Sequence, residues 1–188
     1  MANLMIISGP QAVGKMTVAK ALKEKIGYAV STNHDSLEIP ARIFGWGSPS
    51  FNELRNIIRK EVFDLSIKND VNLIFTYIVD FNDKNDVKYV YDLKDKYEKA
   101  GGKFYFVELE TDLEERLKRN ITEERLLEKP TKRDIERSNK ELVDSMDKYR
   151  MNSNEGELDF ENYIRIDNTN LSPDEVANKV IKKFEMGD

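Results

Sequence analysis

Two glycines, a lysine and a threonine lie within nine residues of one another near the start of the chain, in the stretch GPQAVGKMT at 9–17. Their spacing, G-x-x-x-x-G-K, is typical of a loop that binds phosphate. Glycines permit a tight turn, backbone N–H groups at the start of a helix then surround the phosphates, and the lysine adds a positive charge at the β and γ groups. We therefore predict a nucleotide phosphate site, in which the lysine also acts in catalysis. Its residues are Gly9, Ala12, Val13, Gly14, Lys15, Met16 and Thr17.

The residue after the lysine decides how such a site handles a metal ion. A serine or threonine there normally supplies a hydroxyl to Mg²⁺, but here the residue is Met16, and Thr17 comes one position later. A step of one residue turns a side chain by about 100° around a helix. We therefore predict that Thr17 donates to the α-phosphate and that no side chain binds the metal directly. Mg²⁺ is then held by nucleotide oxygens and water, with Asp35 as an outer-sphere partner.

Strand patterns and helix patterns alternate around this loop. The apolar run 4–8 predicts a strand buried on both faces, and the apolar spacing from Lys15 predicts a helix that ends at Gly27. Further strands are predicted at 28–32, 71–79, 103–109 and 163–167, and helices at about 50–68, 86–100 and 111–120, after 131–134 and from 172. This order indicates an α/β fold, a single domain over 1–188, with a five-stranded parallel sheet, helices on both of its faces and binding sites at the carboxyl ends of the strands.

Three helix starts are predicted from their capping residues. Thr111 with Glu114 has the pattern of a capping box, Thr131 or Asp134 is placed to cap the next helix, and the stretch SPDE at 172–175 combines a cap, a first-turn proline and a glutamate. The helix after 134 carries apolar residues at helical spacing. We expect its core face to consist of Ile135, Leu142, Met146 and Tyr149.

Two arginines follow the fourth strand, in LETDLEERLKRNITEERLL at 109–127. Phosphoryl transfer develops negative charge on the transferred group, and an arginine on a mobile segment neutralises that charge and excludes water. Arg125 lies in a charged segment with little to bury, so we predict a small mobile lid at about 120–133 that brings Arg125 to the phosphates. The spacing alone favours a solvated helix in which Arg119 pairs with Glu115. Together with the phosphate loop, we favour the nucleotide-binding interpretation for both arginines.

The stretches GPQAVGKMT, NH at 33–34, RN at 119–120 and KPTKRD at 129–134 resemble a bacterial group of shikimate-kinase-like or AAA-type ATPases among the small P-loop kinases. The resemblance covers most of the chain and implies the P-loop NTPase fold, with ATP and Mg²⁺ as cofactors. It also implies that Arg119 packs on adenine, that Arg125 reaches the phosphates and that IDNTNLSPDEV (166–176), including Asn168, walls the adenine.

Two departures separate the chain from shikimate kinases themselves. No glycine triplet follows the third strand, since Gly101 and Gly102 precede the fourth, and no Asp-x-Asp pair follows the second. The G-K-x-T form of the loop instead resembles the loop of adenylate kinases. We therefore do not expect shikimate to be the acceptor.

The segment after the second strand contains Asn33, His34 and Asp35, where such kinases place groups that orient or deprotonate the acceptor hydroxyl. We predict that Asp35 is catalytic, since it can accept a proton or hold Mg²⁺ through water, with a purely structural role as the alternative. A lone histidine is more often structural, and we interpret His34 in that way. Arg42, Trp46 and Arg55 are further candidates for lining the acceptor pocket. The alternative is that the two arginines are solvated and that the tryptophan is packed in the protein.

Composition limits the classes of function. The 188 residues carry a net charge of −5, which argues against a broad nucleic-acid surface. No apolar run approaches the roughly 20 residues of a membrane span, and MANLMIIS is interpreted as a first strand and not as a signal peptide. The absence of cysteine excludes disulfides and thiol catalysis. We expect a cytoplasmic monomer or homodimer whose partner is a small molecule.

Together these observations predict an ATP-dependent phosphotransferase. It would transfer the γ-phosphate to a hydroxyl of a small metabolite or a nucleoside-like acceptor. A non-catalytic or regulatory ATP-binding module is the alternative, favoured by Met16 and by the lack of an evident Walker-B aspartate. A GTPase is excluded, because TKRD at 131–134 opens a helix where a guanine motif should end a strand, and no D-x-x-G occurs.

Overall fold

The computed structural model describes residues 1–122 and 134–187. The strands are β1 (Leu4–Ser8), β2 (Ala29–Thr32), β3 (Leu73–Thr76), β4 (Phe104–Glu110) and β5 (Tyr163–Asp167). The α-helices are α1 (Lys15–Ile26), α2 (Glu38–Phe44), α3 (Pro49–Lys68), α4 (Lys84–Lys99), α5 (Leu113–Asn120), α6 (Ile135–Lys148) and α7 (Pro173–Phe184). A 3₁₀ helix (Asn33–Ser36) follows β2 directly.

The five strands form one parallel sheet, as predicted, and their order in it is β2-β3-β1-β4-β5. β1 lies in the centre, where Leu4 is opposite Leu73 of β3 on one side and Phe104 of β4 on the other. Because all strands run in the same direction, their carboxyl ends meet at one edge of the sheet. The loop after β1 therefore lies between the ends of β2 and β3 on one side and those of β4 and β5 on the other.

Helices cover both faces of the sheet, and each face has its own core. On one face, Met5 and Ile7 of β1 pack in a cluster with Leu22 of α1 and Val180 of α7. On the other face, Leu4 and Ile6 belong to an aromatic-rich cluster that includes Phe63, Phe75, Phe104, Phe106 and Tyr97. The apolar run of β1 is thus buried on both sides, which fixes the strand that leads into the phosphate loop.

Two local predictions were wrong in detail. Strand β3 spans four residues and not the whole of 71–79. Helix α5 has Asp112 as its N-cap, without a side-chain hydrogen bond, so the predicted capping box at Thr111 does not form. The Thr111 hydroxyl donates instead to Oδ1 of Asn168, at 2.5 Å. A tertiary partner has replaced the local one.

The predicted core face of α6 was also wrong. Leu142 is buried, but Ile135, Met146 and Tyr149 are 42%, 44% and 49% exposed. The buried positions beside Leu142 are the serines at 138 and 145, whose hydroxyls are in hydrogen bonds. This helix therefore docks on the domain through polar contacts, and part of its apolar surface faces solvent. Asp134 caps it as predicted, since its carboxylate accepts from the backbone N–H of Arg137 at 3.1 Å.

The predicted lid at about 120–133 lies outside the described residues from position 123 onward, and so does Thr131. In the two described ranges, no helix has both the length and the apolar character needed to cross a membrane.

Candidate functional site

The loop after β1 has the backbone conformation that its sequence predicts. Gly9, Ala12 and Gly14 all have positive φ, at 133°, 60° and 99°. At Gly9 a Cβ would lie 2.3 Å from the Leu109 carbonyl oxygen, so the close approach of β4 requires glycine. The loop then enters α1 at Lys15, and the first N–H groups of a helix have no partner within the helix. This combination suits an anion.

Lys15 folds back over the loop. Its Nζ donates to the carbonyl oxygen of Gly9 at 2.6 Å and to that of Pro10 at 2.7 Å. The two bonds hold the ammonium group at the loop and fix the side chain in one position. A phosphate bound here would become a further partner of the same ammonium group.

Met16 and Thr17 both lie at the cavity. The Thr17 hydroxyl donates to the Gly14 carbonyl oxygen at 2.8 Å, one turn back. To donate to a phosphate, as predicted, this hydroxyl must exchange the carbonyl for the phosphate oxygen. The predicted contact with the α-phosphate stays a prediction.

The carbonyl group of Val13 is held from two sides. Nδ2 of Asn168, which is 3% exposed, donates to the Val13 oxygen at 2.8 Å, and Nη1 of Arg119 donates to the same oxygen at 3.1 Å. In a trans peptide the carbonyl and the following N–H point in opposite directions. Fixing the Val13 carbonyl therefore also fixes the direction of the Gly14 N–H, one of the groups predicted to bind phosphate.

Arg119 also connects α5 with the segment after β5. Its Nη2 donates to the carbonyl oxygens of Asn168 and Thr169, at 2.9 and 3.1 Å, and its Nε pairs with Glu115 at 2.9 Å. The ion pair with Glu115 therefore forms while Arg119 also lines the cavity, and the contact of Arg119 with adenine stays a prediction. Beside it, hydrogen bonds from Thr169 lower the pKa of the Asp167 carboxyl.

Arg116 is a site residue that the sequence interpretation missed. It is 3% exposed, and its Nε donates to the Gln11 carbonyl oxygen at 2.8 Å. The Gln11 side chain in turn accepts from the Ser145 hydroxyl of α6 at 3.1 Å. The loop is therefore fixed to α5 and α6 as well as to its own strand. The only sequence signal for this role was the position of Arg116 one helical turn before Arg119.

A cavity of about 1010 Å³ opens at the carboxyl edge of the sheet. Gln11 to Val18, which comprise part of the phosphate loop and the start of α1, all line it. On the side of β4 and β5 it is lined by Arg119, Thr122, Asn168, Leu171 and Pro173, with Arg137 and Glu141 contributed by α6. On the side of β2 and β3 it is lined by Thr32, Asn33, His34, Leu37, Trp46, Thr76 and Ile78; we call these seven residues the acceptor end. One cavity thus spans both sides of the loop.

The turn after β2 is closed by Asp35. Its Oδ2 accepts from the Thr32 N–H at 2.6 Å, and its Oδ1 accepts from the Thr32 hydroxyl at 2.9 Å. Asp35 is exposed and is not among the residues that line the cavity, whereas Thr32 is. The structure therefore connects the predicted catalytic carboxylate to the cavity only through the Thr32 hydroxyl.

Two further arginines lie near the acceptor end without lining it. Arg59 donates through Nη2 to Oδ1 of Asn33 and contacts three aromatic rings. Burial lowers the pKa of Arg55, and the charge of Arg59 lowers it further. Burial also raises the pKa of Tyr77, as does the neighbouring Asp86, whose carboxylate accepts from the Tyr77 hydroxyl at 2.9 Å. The two arginines, Tyr77 and Asp86 do not line the cavity.

The remaining residues predicted for the site differ in whether they line the cavity. His34 and Trp46 line the cavity, whereas Arg42 and Arg55 do not. Arg125 lies outside the described residues. Within the two described ranges, no three His, Asp or Glu side chains are grouped so that they could hold a metal ion. The described residues therefore offer no cluster of side-chain ligands to Mg²⁺, and its binding by nucleotide oxygens and water stays a prediction.

The fold is shared with kinases of small molecules. A sugar kinase from Janibacter sp. HTCC2649 has a TM-score of 0.60 and 14% identity, covering 100% of this chain and 96% of its own. Shikimate kinase from Acinetobacter baumannii, solved with shikimate, has a TM-score of 0.54 and 18% identity, and the match covers 98% of this chain and 93% of that kinase. APS kinase from Mycobacterium tuberculosis, solved with AMPPNP and APS, has a TM-score of 0.57 and 16% identity, and the match covers 98% of both chains. No protein-family model and no curated protein sequence matches the chain. The P-loop kinase fold is thus shown by structure and not by sequence.

Proposed function

We propose that the protein transfers the terminal phosphate of ATP to a hydroxyl group of a small molecule. The observation that carries the proposal is the cavity of about 1010 Å³, which is lined by the phosphate loop and by further residues on both sides of it. Such a cavity holds a nucleotide toward β4 and β5 and leaves room for a second substrate toward β2 and β3. The similar structures named above are all kinases, which supports this arrangement.

In the proposed reaction the acceptor oxygen forms a bond to the γ-phosphorus while the bond from that phosphorus to the β,γ-bridging oxygen breaks. ADP leaves, and the acceptor proton passes to a base. Lys15 and the loop N–H groups hold the phosphates in line and stabilise the developing charge. Mg²⁺, when bound with the nucleotide, would supply further positive charge to the phosphates. We propose Arg125 as a further positive group at the γ-phosphate.

We retain Asp35 as the proposed proton acceptor, reached through Thr32. Thr32 lines the cavity, and its hydroxyl donates to Asp35 at 2.9 Å. We propose that a proton from the acceptor moves to the Thr32 oxygen while the Thr32 proton moves to the carboxylate. Asp35→Asn should then reduce turnover without weakening the binding of ATP. Unchanged turnover would assign Asp35 to the turn alone.

A non-catalytic nucleotide-binding module is the second candidate. It is favoured by the position of Asp35 outside the cavity and by Glu141, which lines the cavity but is paired with Arg137 at 2.9 Å. A screen of hydroxylated small molecules for phosphate transfer from ATP separates the two candidates. Binding of ATP without transfer to any acceptor favours the module.

Lys15→Ala tests the nucleotide site itself. Because it removes a charge-assisted contact, we expect the affinity for ATP to fall at least about tenfold and transfer to be lost. Lys23→Ala is the matched control, since Lys23 is an exposed lysine on the same helix. Calorimetry with both variants measures the effect, and equal affinities would contradict the proposed phosphate site.

A further inference from the structure

The acceptor end of the cavity is lined by apolar and uncharged polar residues together with one histidine. Three of its seven residues are apolar (Leu37, Trp46 and Ile78), and the other four are Thr32, Asn33, His34 and Thr76. Among the described residues, no lysine, arginine, aspartate or glutamate belongs to it. The charged residues elsewhere in the lining are Lys15, Arg119 and the paired Arg137 and Glu141. Among the described residues, a negatively charged acceptor would therefore meet no lysine or arginine side chain at this end.

The nearest arginine is already bound to the protein. Arg59 donates through Nε to the Ser36 hydroxyl at 2.9 Å and through Nη2 to Oδ1 of Asn33. Its guanidinium carbon also lies 5.4 Å from the ring centre of Tyr77 and 5.9 Å from that of Tyr89. These contacts hold the guanidinium group behind the turn and not in the cavity. Arg59 is thus a positioning residue for Asn33.

The contact with Arg59 also fixes the orientation of the Asn33 amide. A guanidinium group only donates, so the amide must present its oxygen to Arg59. The Asn33 backbone is held as well, since its N–H donates to the Thr76 hydroxyl at 3.3 Å. The amide NH₂ group then remains to donate, at a residue that lines the cavity. It suits an oxygen acceptor such as a hydroxyl or a carbonyl group.

Trp46 provides a flat apolar surface at the same end. Its side chain is 61% exposed although it lines the cavity, and it is supported from behind by Phe51, with ring centres 5.2 Å apart. An exposed tryptophan beside an amide donor is well suited to stack with a flat ring.

We propose that the acceptor is a neutral, hydroxylated molecule that carries a flat ring, with the ring stacked on Trp46 and one oxygen bound by the amide of Asn33. This inference rests on the proposed function, because it names the class of acceptor for that reaction. Nucleosides and aryl glycosides have the required chemistry, and sugar acids do not.

Trp46 is the only tryptophan in the chain, so its fluorescence reports directly on this end of the cavity. The protein is first saturated with a non-hydrolysable ATP analogue, which occupies the nucleotide side. Phenyl β-D-glucoside, methyl β-D-glucoside, uridine, shikimate and gluconate are then titrated separately. We expect the phenyl glucoside and uridine to change the emission and to bind at least about tenfold more tightly than the methyl glucoside or either carboxylate.

Variants locate the contact by calorimetry. Trp46→Ala should weaken phenyl glucoside binding about tenfold, whereas Phe44→Ala should not, since Phe44 is a similarly exposed aromatic residue that does not line the cavity. Asn33→Asp keeps the oxygen that faces Arg59 but loses the NH₂ donor, and it should also weaken binding about tenfold. Thermal unfolding of each variant checks that the fold is retained.

The outcomes distinguish this inference from the proposed function. Tighter binding of either carboxylate, no binding of the ring-bearing compounds, or unchanged binding by Trp46→Ala would overturn the inference. Transfer of phosphate to gluconate or shikimate but not to the ring-bearing compounds would also overturn the inference, although the proposed kinase function would stand. Ring-dependent binding without transfer from ATP would support the ring site and contradict the proposed function.

Discussion

Asn168→Ala tests whether the Val13 carbonyl orients the phosphate loop. Asn168 is 3% exposed, and the change removes its buried 2.8 Å hydrogen bond from Nδ2 to the Val13 oxygen. It also removes the part-buried hydrogen bond that Oδ1 accepts from the Thr111 hydroxyl. Loss of a buried hydrogen bond lowers the free energy of unfolding by about 1–3 kcal/mol. At about 2–4 °C per kcal/mol for a chain of this size, the melting temperature should fall by about 2–12 °C.

The same change should weaken phosphate binding. With one of its two side-chain anchors lost, the peptide between Val13 and Gly14 can turn, and the Gly14 N–H no longer points steadily at the ligand. One charge-assisted hydrogen bond contributes about 1.5–3 kcal/mol, so the Kd for tripolyphosphate should rise about 10- to 150-fold. Adenosine lacks phosphates, and its affinity should change less than about twofold, since that corresponds to under 0.5 kcal/mol.

Calorimetry with tripolyphosphate, ADP and adenosine measures this difference. Asn162→Ala is the matched control, because Asn162 also donates through Nδ2 to a backbone carbonyl, that of Phe104 at 3.1 Å, but at the far end of β4. It should lower stability without affecting phosphate. If Asn168→Ala lowers the melting temperature and leaves tripolyphosphate binding unchanged, the orientation argument is wrong. If adenosine binding falls instead, Asn168 acts on the base and not on the loop.

Three further predictions concern the loop and the stability of the domain. Thr17→Ala should weaken ADP and ATP by about tenfold or more in calorimetry even when Mg²⁺ is chelated, and Met16→Ser should tighten ATP only with Mg²⁺ present; a Thr17→Ala effect confined to Mg²⁺ would assign Thr17 to the metal. Glu108 is fully buried and accepts four hydrogen bonds. Glu108→Gln places an NH₂ group against these donors, so it should lower the free energy of unfolding, measured in urea, by about 3 kcal/mol. A loss below about 1 kcal/mol would contradict this. Hydrogen bonding to Arg150 lowers the pKa of Glu157 in the folded protein below its value in the unfolded chain. The pair therefore stabilises the protein at pH values above the unfolded pKa, and this stabilisation is lost as the pH falls through the folded pKa. The stability difference between wild type and Glu157→Gln, below about 1 kcal/mol for an exposed pair, should therefore be present at pH 7 and disappear on acidification, and a difference that grows in acid would refute the assignment.

The sequence determined the parts of this protein that depend on neighbouring residues. The buried run of β1, the glycines at 9 and 14 and the start of α1 at Lys15 all follow from local backbone preferences, and the structure has them where the sequence predicts them. The parallel sheet follows in the same way, because strands that alternate with helices must connect in one direction. The caps at Asp134 and Ser172 are contacts over three residues and were also predictable.

The tertiary structure decided which side chains meet across the chain. Asn168 donates to Val13 across 155 positions and Arg116 to Gln11 across 105, and nothing in the local pattern indicates either bond. Thr111 had a local capping partner available and bonds Asn168 instead. The prediction for the buried face of α6 was wrong because the spacing of apolar residues indicates only which face a helix could bury. In the structure Gln11 provides a polar partner for Ser145, so Ser145 is buried instead. Local sequence thus specifies the phosphate loop, but only packed helices and strands determine which carbonyl groups are held and which N–H groups remain directed at a ligand.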